Sequence, residues 1–133
     1  MAKAPRWDTT PAKDDYAAAA RFLSLLMSDD RASSLAMRLR RGGIVQHRAN
    51  DLLRASSLGL LPAKDPEVAK DLKRVKEGKR LSPVLLVREL GAGIRGLTVA
   101  DGYHRICASY HLDPDSDIPC RIVDLTDLTG ATS

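Results

Sequence analysis

Five consecutive residues, Asp101-Gly102-Tyr103-His104-Arg105, set a carboxylate, a residue without a Cβ and two nitrogen-rich side chains side by side. They follow Leu97-Thr98-Val99-Ala100, a short run that predicts a strand, and open a stretch to Leu112 that predicts a helix. A helix starting at this junction leaves its first amide N–H groups unpaired and carries partial positive charge, so it attracts an anion. Gly102 would let a bound group come close to the backbone. Arg105 offers a planar, permanently charged fork suited to phosphate oxygens. His104 and Arg105 in the first turn oppose the helix dipole, which is unfavourable unless an anion sits there. Asp101 is expected as the N-cap. The same residues also fit a plain helix start, with Asp101 capping and both basic side chains in water.

The elements that must position this turn are legible on both sides of it. Asp65-Pro66 predicts a helix start, with Asp65 as cap and Pro66 in the first turn. Val68, Leu72 and Val75 then form an apolar face, and Gly78 ends the helix. Lys70, Lys73, Arg74 and Lys76 occupy the opposite face, a pattern that a solvated helix face also shows. Ser82-Pro83-Val84-Leu85-Leu86-Val87 predicts a buried strand. Gly91, Gly93 and Gly96 mark a loop, and Ile118-Pro119-Cys120-Arg121-Ile122-Val123 predicts a third strand after the loop 113–117. The last ten residues read as a polar tail.

Upstream, residues 1–9 read as a flexible lead. Thr10-Pro11 predicts the cap and first position of a helix reaching Ser28. Asp29-Asp30 could cap a second helix, Arg31 to Arg41, stopped by Gly42-Gly43. A third is expected from Val45 to Leu58. Pro62 marks a boundary between an N-terminal helical segment, 1–61, and an α/β domain, 62–133, built as a small mixed sheet with helices. The two are expected to form one compact unit.

The chain has 133 residues, 44% hydrophobic and 29% charged, as soluble globular proteins do. Only 4% are aromatic, so the core must be aliphatic. No apolar run approaches the roughly 20 residues that span a bilayer, and the start Met1-Ala2-Lys3-Ala4-Pro5-Arg6-Trp7 lacks the apolar core of a signal peptide. Cys107 and Cys120 lie in apolar patterns without metal-type spacing and are expected to be buried reduced thiols, which fits a cytoplasmic location. Residues 1–62 carry ten Lys/Arg against six Asp/Glu, and residues 63–133 carry eleven of each. The basic excess therefore lies in the N-terminal half and is compatible with nucleic acid or another polyanion as partner.

The stretch Leu97 to Leu112 followed by Ile118 to Val123 resembles the signature of the ParB/sulfiredoxin superfamily. The resemblance covers about 60 residues in order, including Asp65-Pro66-Glu67-Val68 with Leu72 and Val75, and Leu81 to Val87. The box Asp101-Gly102-Tyr103-His104-Arg105 is similar to the Asp-Gly-His-His-Arg version carried by small-molecule kinases of that superfamily. The resemblance implies a compact α/β domain that binds a nucleoside triphosphate or diphosphate with Mg²⁺. The phosphates would sit at Gly102, Tyr103, His104 and Arg105, assisted from the preceding helix by Lys70 and Arg74. Their spacing of four puts that pair on one helix face, within reach of a common anion.

Sulfiredoxin chemistry needs a cysteine where this chain has Tyr103, so that activity is not expected. The partition proteins carry a DNA-reading domain after the shared one, whereas here about ten residues follow the last strand. Arg38, Arg40 and Arg41 form a short cluster without a recognition-helix pattern and read as a solvated helix end. A phosphotransferase would need a base and a metal-binding carboxylate, for which Asp65, Glu67, Asp71 and Asp101 are candidates. Three functions stay open: a nucleotide-sensing or nucleic-acid-associated module, a nucleotide-dependent phosphotransferase or hydrolase acting on a small molecule, and a non-catalytic interaction protein that self-associates through its N-terminal helices.

Overall fold

A computed structural model describes residues 4–89 and 96–125. The elements in chain order are β1 (Arg6–Trp7), α1 (Lys13–Leu23), α2 (Asp29–Arg41), β2 (Val45–Arg48), α3 (Ala49–Ser56), α4 (Pro66–Lys76), β3 (Arg80–Leu81), β4 (Val84–Glu89), β5 (Gly96–Asp101), α5 (Tyr103–Leu112) and β6 (Asp117–Asp124). The fold is α/β with mixed sheets, as expected. The Gly91–Gly93 loop and most of the C-terminal tail lie outside the described residues.

A four-stranded sheet in the order β2-β6-β4-β5 forms the centre. β4 runs parallel to β6 and antiparallel to β5. Alternate residues of β4 enter two separate cores. Val84 and Leu86 join Leu52 and Leu53 of α3, Val68 of α4 and Ile106 and Cys107 of α5. Leu85 and Val87 join Tyr16, Ala19 and Leu23 of α1 and Leu35 and Leu39 of α2. Helices thus cover both faces, which is why β4 reads as an unbroken apolar run rather than an alternating one. The sheet takes β2 from one side of Pro62 and β4, β5 and β6 from the other.

Five expectations for residues 1–61 are corrected. The first helix is capped at Ala12, not Thr10, because the Asp15 carboxylate reaches back to accept the Ala12 N–H at 3.1 Å. That helix stops at Leu23, five residues early. Two successive tight turns close there, with Leu25 and Leu26 N–H donating to Phe22 and Leu23 carbonyls. Ser28 is consequently a cap itself, its hydroxyl accepting from Arg31 N–H, so α2 starts at Asp29. Val45 to Arg48 form a strand instead of helix, because β6 offers an edge on which Val45 pairs with Cys120 and Arg48 with Asp117. Tertiary pairing outweighs the middling helix propensity of that segment. Finally, the lead is not wholly irregular: Arg6-Trp7 pairs in parallel with Arg80-Leu81.

The second half follows the sequence closely. Asp65 caps α4, accepting from Glu67 and Val68 N–H at 3.1 Å each. Asp65→Ala is expected to lower stability by about 1 kcal/mol, read as a shift in urea midpoint with unchanged slope.

Candidate functional site

Everything at this site follows from how β5 turns into α5. Gly102 adopts φ +114°, in the left-handed region, and is itself the cap of α5. Asp101 is the last residue of β5 and does not cap, a correction to the sequence reading. A Cβ on Gly102 would lie 2.4 Å from Val84 Cγ1 and 2.9 Å from the Arg105 guanidinium. The glycine is required by its backbone angle and by the close passage of β4, whatever binds outside. Ile106 N–H is bonded to the Gly102 carbonyl, leaving the amides of Tyr103, His104 and Arg105 as the first-turn donors that no carbonyl within the helix can reach.

The three basic or aromatic side chains of this turn leave in three directions. Tyr103 packs on the α3–α4–α5 core and donates its hydroxyl to the Gly59 carbonyl in the linker between α3 and α4. His104 lies within electrostatic reach of Asp71 on α4. Arg105 turns toward the start of α1. Its guanidinium donates to Asp101 Oδ2 at 2.9 Å and to the Pro83 carbonyl at 3.4 Å, and it approaches Asp15 Oδ1 at 3.8 Å. The side chains of Arg105, Asp15 and Asp101 are only 15%, 15% and 20% exposed, so the interaction is poorly screened. Ser82 holds Asp15 in place by donating to its other oxygen at 2.6 Å. The anion that a first-turn arginine calls for is therefore supplied from within the chain.

Beside this cluster lies a cleft of about 310 Å³ lined by Asp8, Asp14 and Asp15, by Asp71 and Arg74 of α4, and by Arg80, Ser82 and Arg105. Of the two expected helper residues, Arg74 reaches the cleft. Lys70 and Arg74 are both exposed, but only Arg74 lies along the cleft, on the side of the helix that also carries the half-buried Asp71. Burial raises Asp71 above the ordinary carboxylate value, while Arg105, Arg74 and His104 pull against it. Burial also raises Asp101. Arg105 opposes that shift, whereas the charge and hydrogen bond of Asp15 reinforce it. One carboxylate with raised proton affinity in the cleft, Asp71, and a second, Asp101, behind it on Arg105 make this the place where perturbed chemistry concentrates.

Elsewhere, reactive groups are quenched or engaged. Cys107 and Cys120 are free and buried, as expected. Burial raises the Cys107 thiol and pushes Cys120 up to about 12, so neither is a thiolate at neutral pH. The α2 arginine cluster is not simply solvated. Arg38 donates to the Asp124 carbonyl at 3.1 Å and Arg40 lies 4.7 Å over the Tyr16 ring. Arg121 in turn donates to the Leu39 and Arg40 carbonyls, occupying the negative end of α2.

Sequence reasoning missed Asp15, Ser82 and Arg80. Asp15 stands 90 residues before Arg105, and its only local signal is that of an acid in a first helical turn. Among the described residues, no cluster of three His, Cys, Asp or Glu side chains suited to a metal ion is present, and no helix is long and apolar enough to cross a membrane. Comparison of the chain with protein-family models, curated proteins and solved structures finds no match.

Proposed function

We propose that the chain is a phosphate-binding module of ParB/sulfiredoxin-like type, taking a nucleoside di- or triphosphate in the cleft between the N-terminal ends of α1 and α5 and the inner face of α4. The observation that carries this reading is the convergence of Arg74, Arg80 and Arg105 on one cleft, Arg105 standing in the first turn of a helix whose first three amides have no acceptor within the helix. Arg74 supplies the charge least committed to the fold. The amides of Tyr103, His104 and Arg105 supply directional donors. Asp71 and Asp15 line the same cleft, where a Mg²⁺ arriving with the phosphates and keeping its water shell would find carboxylate neighbours.

Binding without turnover is the reading favoured over phosphotransfer. Of the candidate carboxylates, Asp101 is committed to Arg105 and Asp65 to capping α4, which leaves Asp71 as the single acid in the cleft with a raised proton affinity. A general base would have to be Asp71. Lys70, Lys73, Arg74 and Lys76 on α4 are the surface on which a nucleic acid would be met, with salt-sensitive affinity.

The test is calorimetric titration of ATP, ADP, CTP and GTP with Mg²⁺ into wild type, Arg74→Ala and Lys70→Ala. Wild-type binding that weakens about tenfold or more in Arg74→Ala and little in Lys70→Ala is expected. Absence of binding by the wild type at millimolar nucleotide refutes the reading and leaves the interaction-protein alternative.

A further inference from the structure

Resting on the phosphate-binding reading, we propose that Asp15 is a built-in competitor for the anion site, a carboxylate from α1 that holds the position at Arg105 which a phosphate oxygen would take.

Two carboxylates meet one guanidinium here, and they are not equivalent. Asp101 is local, four residues before Arg105, and makes a 2.9 Å hydrogen bond. Asp15 comes from another element, stands at 3.8 Å, and lines the open cleft as Asp101 does not. Of the two carboxylates, it is thus the one that an incoming anion meets beside Arg105. Asp15 does not depend on Arg105 for its place. Its second oxygen accepts from Ser82 Oγ at 2.6 Å and from Ala12 N–H at 3.1 Å. Those bonds fix the carboxylate at the cleft wall, where its charge repels a second anion. Asp101 already balances the single charge of Arg105, so Asp15 leaves the trio with an excess negative charge in a poorly screened place. A bound phosphate relieves nothing unless this carboxylate turns aside or loses its charge.

The cleft therefore selects by competition. A ligand must deliver enough positive charge, as a metal-complexed polyphosphate does, or enough contacts elsewhere in the cleft to displace Asp15. A lone orthophosphate delivers neither. Asp15 is a specificity-determining residue in this account, acting on affinity through charge and not by contact with a reacting atom.

The experiment is titration of the full chain with Mg²⁺-pyrophosphate and, separately, orthophosphate, using wild type, Asp15→Asn and Ser82→Ala. Asparagine keeps an acceptor for Ala12 N–H and Ser82 Oγ while removing the charge, and thermal melts confirm that both variants fold. Asp15→Asn is expected to bind pyrophosphate about tenfold more tightly and to gain measurable orthophosphate binding. Ser82→Ala, which frees the carboxylate without altering charge, is expected to tighten pyrophosphate binding by a smaller factor. Binding by Asp15→Asn alone would be the strongest form of support. Equal affinities in wild type and Asp15→Asn would overturn the competition while leaving the phosphate site intact. Absence of binding in all three would remove the phosphate reading, and this inference with it.

Discussion

Replacing Arg105 by alanine is expected to cost about 3 kcal/mol of stability at neutral pH, the scale seen when one partner of a buried ion pair is removed. The loss does not come mainly from missing contacts. With the guanidinium gone, Asp101 and Asp15 face each other at the junction of β5, α5 and α1 with no cation, at 20% and 15% side-chain exposure. The Asp101 carboxyl is already held above its usual value by burial, and Arg105 is the group that lowers it. Without Arg105 it rises further. A carboxyl whose folded pKa is raised binds its proton more tightly folded than unfolded, so stability falls as pH rises through the folded value and is regained toward the unfolded value of 3.8. The deficit of Arg105→Ala relative to wild type should therefore shrink steadily as pH is lowered from 7 to about 4. Urea unfolding across that range measures it. A deficit independent of pH would mean that Arg105 acts by packing alone. Arg105→Lys should recover only part of the loss, since a single ammonium nitrogen cannot set one donor group on Asp101 and the Pro83 carbonyl and a second toward Asp15 as Nη2 and Nη1 do.

Gly102→Ala is expected to destabilise by a similar amount, about 3 kcal/mol, through two separable causes. A φ of +114° is strained for any residue with a Cβ, costing about 1–3 kcal/mol. The new Cβ would also press on Val84, with Cγ1 at 2.4 Å and Cβ at 2.8 Å, an overpacking cost of about 1–3 kcal/mol. A double-mutant cycle separates them. Val84→Ala is destabilising alone because Val84 is fully buried, but in the Gly102→Ala background it removes the closest contact, that with Cγ1, while the contact with Cβ at 2.8 Å stays. The two changes should cost less together than the sum of the single losses. Strict additivity would show that the Val84 Cγ1 contact contributes nothing to the effect.

The contrast between these two residues shows what the sequence carries and what it does not. The start of α5 at Tyr103 was readable, because a strand-like run, a glycine and a helical period stand next to one another, although β5 runs on to Asp101 and the cap is Gly102 rather than Asp101. Asp65-Pro66 and Gly78 bounded α4 for the same local reason. The function of each group was less readable. Gly102 is dictated by Val84, 18 residues earlier, and the charge of Arg105 is met by Asp15, on a helix 90 residues earlier. Neither relation leaves a local pattern. β2 was missed because its four residues are exposed and show no alternation, so only the free edge of β6 makes them a strand. Lys70 and Arg74 share a nominal helix face, but which of them borders the cleft depends on how Val68 and Val75 seat α4 against the core, and that seating leaves both exposed with Arg74 alone at the cleft.

One position in the short parallel pair β1–β3 gives the molecule an optical property. Trp7 is the only tryptophan in the chain. It packs against the core that holds α5, its carbonyl accepts from Arg80 at 3.1 Å, and the next residue, Asp8, lines the cleft together with Arg80 and Leu81. The sole strong fluorophore is thus wired by two backbone neighbours and one arginine to the wall that a ligand would touch. If the proposed ligand binds, a change in this emission is the expected label-free signal, separate from the tyrosines at 16, 103 and 110, and an unfolding curve followed at the same wavelength is expected to monitor the docking of the N-terminal strand onto β3.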